Sequence, residues 1–151
     1  MVWTPHVTVA TVIERDDHFL LVHEYTDQEL AVYNQPAGHV EAGETLIEAA
    51  LRETREETAW QVEITDLLGL YVYTPPHRHD LTYYRVCFIA RPLEQLAGLS
   101  LDTGIIGAEW IPYTQLASMN NLRSPLVQRC IEDYRAGQRF PLHLIHEHVW
   151  Q

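Results

Sequence analysis

The chain is poor in the features that mark membrane-bound, secreted and disulfide-linked proteins. It has no apolar run near the ~20 residues that a membrane-spanning helix needs, and its N-terminus lacks the charged-then-apolar order of a signal segment. We therefore expect no membrane partner and a cytoplasmic protein. There are only two cysteines, Cys87 and Cys130, and Cys87 lies in an apolar run typical of a strand. This pattern favours buried free thiols over a disulfide.

Positive charge is also scarce. The 151 residues include 10 basic and 21 acidic side chains, which gives a formal net charge of −11. Proteins that bind long nucleic acids need basic patches, so this balance argues against such a partner. An anionic phosphate substrate would need a metal ion or local arginines in order to approach. With 46% hydrophobic residues and no internal repeat, the chain is expected to form one domain with a real core.

Carboxylates are concentrated between Gly38 and Trp60. Thr45 followed by Glu48 is a capping box, and the Ala, Leu, Glu and Arg residues that follow favour a helix. One stripe of this helix is predicted to face the core: Ile47, Ala50, Leu51, Thr54 and Thr58.

Glu53, Glu56 and Glu57 lie on an adjoining sector of the predicted helix. Carboxylates at this spacing repel one another unless a cation sits among them, and hard cations such as Mg²⁺ and Mn²⁺ prefer oxygen ligands. A solvated surface helix laced with salt bridges would show the same composition. The preceding loop, 34–38, favours a functional site, because Pro36 fixes the backbone of a turn and Gly38 frees it.

The stretch resembles the Nudix box, the pattern G-x5-E-x7-R-E-U-x-E-E-x-G-U of the Nudix hydrolase family. The glycine and charged positions of that pattern are matched by Gly38, Glu44, Arg52, Glu53, Glu56 and Glu57. Three positions depart from the pattern or strain it: Thr54 stands at the first aliphatic place, Ala59 replaces the glycine that often needs a positive φ at the end of the helix, and Trp60 ends the motif. The resemblance implies an α/β fold, the Nudix-type α/β/α sandwich with a mixed β-sheet.

The resemblance also implies which residues bind the metal ion and which take part in the reaction. The metal ligands would be Glu57 as the central one, Glu53, Glu56 and the carbonyl of Gly38, and the cofactor would be Mg²⁺ or Mn²⁺. The catalytic residues would be Glu56, Glu57 and Arg52, with Glu56 or Glu57 as the base and Arg52 orienting the glutamates. Glu44 is expected to brace the loop. Many family members carry a further acidic residue about six places before the tryptophan matched by Trp110.

At that place this chain has Gly104, with Asp102 and Glu109 nearby; either supplies the missing oxygen, or both are ordinary surface carboxylates. Three residues are candidates for substrate binding. Arg78 lies in a Pro-rich loop and could receive a terminal phosphate, or the loop could equally be a mobile polar connection. Tyr33 and Gln35 precede the glycine turn and could stack on or hydrogen-bond a pyrimidine, and Tyr33 could equally belong to the core. Arg85, in an apolar strand, points either into a cleft or out from the other face of the sheet.

Segments outside the box, from Pro5 to Leu142, resemble one bacterial phosphatase branch of the family. That resemblance implies release of phosphate from small pyrophosphates: nucleoside di- and triphosphates, hydroxymethylpyrimidine pyrophosphate and thiamine pyrophosphate. Two other functions stay open, a Nudix-fold module that binds a nucleotide or metabolite without turnover, and processing of RNA 5′ ends. The expected partner is a small-molecule phosphate substrate, and the protein is expected to be a monomer or a small homo-oligomer.

The order of elements predicts strands at 6–13, 18–23, 31–33, 61–73 and 81–90, with Gly69 as a bulge in the fourth. Further on, it predicts a short strand at 108–111 and helices at 113–119 and 124–137. The hydrolase domain is predicted to cover residues 3–137, and residues 138–151 to form a C-terminal extension.

Overall fold

A sheet of seven strands forms the centre of the fold in the computed structural model, which describes residues 2–148. The strands are β1 (His6–Arg15), β2 (His18–Tyr25), β3 (Ala31–Asn34), β4 (Ala37–His39), β5 (Trp60–Tyr73), β6 (Tyr83–Gln95) and β7 (Ile105–Pro112). Strands β4, β1, β6 and β5 lie side by side, with β1 and β6 parallel and the other pairs antiparallel. Strands β3, β2 and β7 are antiparallel and join the others through the β1–β2 hairpin.

Within residues 2–148, three α-helices and a short 3-10 helix, Leu142–Leu144, complete the fold. The α-helices are α1 (Leu46–Thr58), α2 (Tyr113–Leu116) and α3 (Pro125–Arg135). Adjacent residues of β1 point to opposite faces of the sheet, as the two-residue period of a strand requires. Val9 packs in the cluster that contains Ala49 and Ala50 of α1, whereas Ala10 packs in the cluster that contains Val127 of α3. The sheet is therefore covered on both faces, and the predicted α/β/α sandwich with a mixed sheet is confirmed.

The predicted box helix is present, and its predicted cap at Thr45 is confirmed. Thr45 caps α1 by accepting a hydrogen bond from the Glu48 backbone N–H, and Ala59 ends it in the left-handed region, with φ 62° and ψ 21°. The predicted core stripe is wrong at Leu51, which is 37% exposed. Leu51 lies about 100° around the helix from Ala50, on the solvent side of the surface that α1 buries. Ala49 and Glu57 are buried in addition to the predicted residues.

The predicted strands are all present, and one strand was missed. Strand β4 has only three residues and lies inside the stretch that the sequence indicated as a turn. Gly69 is at a register shift in β5, as predicted. Strand β6 continues to Gln95 although Pro92 interrupts its apolar run, because Pro92 still pairs with β5 opposite Val62.

The C-terminal extension folds back over the sheet. Phe140 exchanges two backbone hydrogen bonds with Leu67 of β5, of 2.7 and 2.9 Å. Leu142 and Ile145 pack on the cluster between α1 and the sheet, and the Glu147 carboxylate accepts from the Leu46 N–H at the start of α1. The boundary at residue 137 stays a prediction, and residues 149–151 of the extension lie outside the described part of the chain.

Both cysteines are buried free thiols, as predicted. None of the helices between residues 2 and 148 is long and apolar enough to cross a membrane.

Candidate active site

Arg52 connects the acidic groups of α1 to the preceding loop. Its guanidinium donates to both carboxylate oxygens of Glu44, at 2.6 and 2.9 Å, to Glu53 Oε1 at 2.8 Å and to Glu56 Oε2 at 3.2 Å. A fifth hydrogen bond, of 3.1 Å, reaches the carbonyl of His39 in β4. One planar, permanently charged group with five donors can satisfy this arrangement, and a lysine cannot.

Glu44 fixes the other end of this network. Its carboxylate also accepts from the Glu41 N–H at 2.9 Å. The hydrogen bonds from Arg52 lower the pKa of Glu44 to about 2. Glu44 therefore lies in the loop as a charged anchor for Arg52, which is the bracing position that the sequence suggested.

Glu53 lies directly against the backbone of β4. A Cβ atom at Gly38 would overlap the Glu53 carboxylate, so this contact requires glycine. Burial raises the pKa of Glu53, although Arg52 opposes that shift. Strand β4 and helix α1 therefore pack closely at the Glu53 carboxylate. Keeping this carboxylate charged is costly unless a cation lies beside it.

Glu57 is the most deeply placed carboxylate of α1. Its side chain is buried, with 8% of the residue exposed, and Oε1 accepts from the Ala37 N–H at 2.8 Å. Burial raises the pKa of Glu57 to about 9, and the nearby charges of Glu24, Glu53 and Asp102 add to the effect. Such a group is suited to a site where a cation compensates its charge.

Asp102 completes a group of three carboxylates. Oxygen atoms of Glu53, Glu56 and Asp102 all lie within 4.8 Å of one another. The backbone N–H of Asp102 donates to the Glu56 carbonyl at 3.1 Å, which fixes the loop before β7 against α1. An all-oxygen donor set of this kind fits Mg²⁺ or Mn²⁺.

The structure therefore brings together Glu53 and Glu56 of the predicted metal ligands and adds Asp102, which the sequence had offered only as one of two alternatives. Glu57 and Gly38 lie beside this group, against Ala37 and Glu53 respectively. The other alternative, Glu109, is exposed on β7 and accepts a hydrogen bond from the Tyr33 hydroxyl.

A cleft of about 360 Å³ opens next to this acidic group. Its lining includes Gly38 and His39 of β4, and its floor is formed by Thr8, Asn34 and Arg85 from three different strands. Within residues 2–148, three buried side-chain polar atoms have no hydrogen-bond partner: Thr8 Oγ1, Asn34 Oδ1 and Arg85 Nε. All three belong to this cleft.

None of the three predicted substrate-binding residues is among those that line the cleft. Gln35 is 1% exposed, and its side chain holds Arg85 Nη1 at 3.0 Å instead of lining the cleft. The Tyr33 ring stacks on His23 with centroids 4.3 Å apart, and its hydroxyl is engaged by Glu109, which raises the pKa of Tyr33 to about 12. Arg78 is exposed and pairs with Asp80 at 3.1 Å.

Arg85 is the residue that the sequence left undecided. It lies in the cleft, opposite Thr8 in the parallel pairing of β1 and β6. The signal that could have found it is a charged residue in an otherwise apolar strand, since such a residue is costly to bury without a function.

The chain is similar to known proteins over nearly all of its length. The model of the NUDIX domain family matches residues 4–130. The phosphatase NudJ of Escherichia coli strain K12 is 40% identical over 147 residues, which cover 97% of this chain and 94% of that protein. A NUDIX hydrolase from Nitrosomonas europaea has a structure with a TM-score of 0.92 and 40% identity, and the match covers 96% of this chain and 98% of that one.

A more distant structure, the NUDIX domain of Shewanella oneidensis NrtR complexed with ADP ribose, is 20% identical with a TM-score of 0.70, over 89% of this chain and 88% of that one. This last likeness concerns the fold alone. The family match and the two close relatives agree with the box residues that the structure gathers around Arg52. The chain belongs to the Nudix family and is a phosphohydrolase that acts on acid anhydrides of phosphorus.

Proposed function

We propose that the protein hydrolyses phosphoanhydride bonds of small pyrophosphates with the help of Mg²⁺, and that it releases single phosphates. The observation that carries the proposal is the group of three carboxylates, Glu53, Glu56 and Asp102, within 4.8 Å of one another, with Glu53 against Gly38 in the wall of a cleft. Mn²⁺ suits the same oxygen donors. Glu57 and the Gly38 carbonyl are proposed as further contacts of the ion.

The residues of the site have two roles, to position the carboxylates and to accept a proton. When bound, the divalent cation withdraws charge from the phosphates and lowers the pKa of a water molecule. Arg52 keeps Glu53 and Glu56 in position, because it touches both of them and is itself anchored by Glu44. The proton of the attacking water passes to Glu56 or Glu57, at the oxygen that Arg52 or the Ala37 N–H does not engage.

The proposed substrates are nucleoside di- and triphosphates, hydroxymethylpyrimidine pyrophosphate and thiamine pyrophosphate. Support comes from the 40% identity to the phosphatase NudJ and from a cleft large enough for a small organic group. A cytoplasmic location and a monomeric or small homo-oligomeric state stay predictions from the sequence.

The test is phosphate release from each of these compounds with and without Mg²⁺, with the products separated by chromatography. Metal-dependent release of single phosphates is the expected result. Nucleoside monophosphate plus pyrophosphate from triphosphates would keep the hydrolase and reject the proposed product. No turnover, with the same compounds still raising the melting temperature, would favour a binding module.

A variant pair ties the turnover to the acidic group. Glu53→Gln should abolish metal-dependent release, whereas Glu63→Gln, an exposed carboxylate of β5 paired with Arg91, should leave it unchanged. Equal activity of the two variants would reject the assignment of Glu53 to the metal.

A further inference from the structure

Arg85 differs from the other arginines between residues 2 and 148 in being half-buried with neither a carboxylate nor an aromatic ring to compensate its charge. The chain has 10 basic residues, all of them arginines. Seven of these form ion pairs with carboxylates: Arg52, Arg78, Arg91, Arg123, Arg129, Arg135 and Arg139. Arg15 lies over the rings of Trp60 and Trp110, and Arg55 is exposed to solvent. Within residues 2–148, Arg85 alone is a half-buried guanidinium without a carboxylate or an aromatic face beside it.

The surroundings hold Arg85 in place without neutralising it. Its Nη1 donates at 3.0 Å to the amide oxygen of Gln35, a neutral group that is 1% exposed. The Gln35 amide nitrogen is turned the other way, to the Thr11 carbonyl and Cys87 Sγ, each at 3.4 Å. The guanidinium is therefore oriented by a buried amide, and its Nε–H is left unpaired at the floor of the cleft.

The two neighbouring orphan groups can add hydrogen bonds to the same ligand. The Thr8 hydroxyl rotates freely and can donate, and the Asn34 amide can present either its oxygen or its nitrogen by turning about its last side-chain bond. A buried cation without a partner is costly, and the cost is removed by an anion that takes hydrogen bonds from it. The charge of Arg85 therefore sets the sign of the ligand group.

We propose that Arg85, with Thr8 and Asn34, forms an anion subsite that receives a phosphate group of the substrate. The inference deepens the proposed function, on which it rests, by placing one phosphate at the floor of the cleft and not at the exposed Arg78. The cleft also contains the Glu24 carboxylate, which lies 3.6 Å from Arg123 and is partly balanced by it. The lining of the cleft thus holds two arginines, Arg85 and Arg123, and one carboxylate that is paired with Arg123.

The subsite can be tested without any turnover. In ¹⁵N-labelled protein with EDTA, the buried Nε–H of Arg85 should give a resolved cross-peak, identified by its loss in Arg85→Lys. Addition of cytidine 5′-monophosphate or inorganic phosphate should move this peak, and cytidine should not. The Nε–H of Arg78, which is already paired with Asp80, serves as the internal control and should stay in place.

Affinity gives the second measurement. By calorimetry in EDTA, Arg85→Gln should weaken binding of cytidine 5′-monophosphate about 10- to 100-fold, the range of a charge-assisted hydrogen bond to an ionised group. Arg78→Gln should leave it unchanged, and Arg85→Lys should restore part of it. Cooperative unfolding of the three variants, at melting temperatures no lower than that of the wild type, shows that folding is intact.

Two results would overturn the inference. One is a shift of the Arg85 peak by cytidine as large as that by the monophosphate, which would make Arg85 a reader of the base. The other is an unmoved peak with phosphate and monophosphate at millimolar concentration. Because these measurements use no metal and no hydrolysis, absence of turnover in the wild-type protein would reject the proposed function and leave the subsite standing.

Discussion

The two sides of the site differ in how completely their polar groups are paired. On the α1 side, Arg52 alone joins Glu44, Glu53, Glu56 and the His39 carbonyl. In the adjoining cleft, Thr8 Oγ1, Asn34 Oδ1 and Arg85 Nε are buried and unpaired. The reactive side is thus held in position before a ligand arrives, whereas the recognition side is complete only with one.

This difference separates two uses of buried polar groups. A closed network fixes the direction of its side chains, and it gives up part of the stability that apolar packing would provide. An open set of donors and acceptors keeps its hydrogen bonds for a ligand, and the empty protein carries their desolvation cost. Substitutions on the two sides should therefore change stability and activity in different combinations.

The largest effect is expected for Glu57→Gln. Activity with Mg²⁺ should fall more than ~100-fold, because a loss beyond that of an outer-shell residue is expected for a group that contacts the ion. The amide oxygen of the substituted side chain can still accept from the Ala37 N–H, so the fold should persist. Phosphate release at wild-type rate would contradict the role of Glu57.

The same variant should be more stable than the wild type in EDTA at pH 8. The pKa of Glu57 is about 9 in the folded protein against 4.5 for a free carboxyl, so folding favours the protonated form. The contribution of this group to stability is fully present below pH 4.5 and is lost as the pH rises toward 9. Urea denaturation at pH 5 and pH 8 should show a gain of roughly 1–3 kcal/mol for Glu57→Gln at the higher pH only.

The next effect separates two arginines of the same helix. Arg52→Lys removes the fork that holds three glutamates, and activity should fall about 10- to 100-fold, as for other supports of metal ligands. Arg55→Lys, on the exposed face, should leave activity within about twofold of wild type. Steady-state phosphate release measures both. If Arg52→Lys loses no more activity than Arg55→Lys, Arg52 acts only through its charge.

The carboxylate group and the cleft differ in how well the sequence predicts them, because their residues are spaced differently along the chain. Glu53, Glu56, Glu57 and Arg52 occupy two turns of one helix, so helical spacing and the box pattern are enough to place them together. Asp102 was harder, because it reaches Glu56 from a loop that follows β6 and carries no periodic signal.

The cleft could not be predicted, since Thr8, Asn34 and Arg85 come from β1, β3 and β6 and meet only through strand pairing. The sequence offered Arg78, in a Pro-rich loop, as a residue that could receive a terminal phosphate. It could not show that Asp80 already pairs with Arg78. Likewise Gln35 was identified as polar and close to the glycine turn, but its burial depends on β6 beside it.

Substitutions at two threonines should show that a paired and an unpaired buried hydroxyl contribute differently to the free energy of unfolding. Thr54, at the aliphatic place of the box, shares a buried hydrogen bond of 3.0 Å with Thr11, so Thr54→Val leaves the Thr11 hydroxyl unpaired and should cost about 1–3 kcal/mol. Thr8→Val removes a hydroxyl that has no partner and should raise stability by up to about 1 kcal/mol. Urea denaturation in EDTA gives both values.

In ligand binding, the variant that keeps its stability should be the one that loses affinity. Thr8→Val should weaken binding of cytidine 5′-monophosphate, because a donor of the cleft is gone, and Thr54→Val should leave it unchanged. Losses of stability of similar size in both variants would show that the Thr8 hydroxyl is already satisfied in the free protein.

The smallest effect concerns the residue that ends α1. Ala59 holds φ at 62°, where its Cβ crowds the following carbonyl, and its N–H still donates to the Arg55 carbonyl. Ala59→Gly should therefore raise the free energy of unfolding by about 1 kcal/mol. Ala136→Gly is the matched control, because Ala136 ends α3 at φ −73° and glycine there should lower stability by about 0.5–1 kcal/mol.

Activity should be unchanged in Ala59→Gly, because the box carboxylates keep their places when the helix ends with the same backbone shape. A loss of stability in both variants would mean that the Ala59 methyl group, 7% exposed, contributes more by packing than its conformation costs.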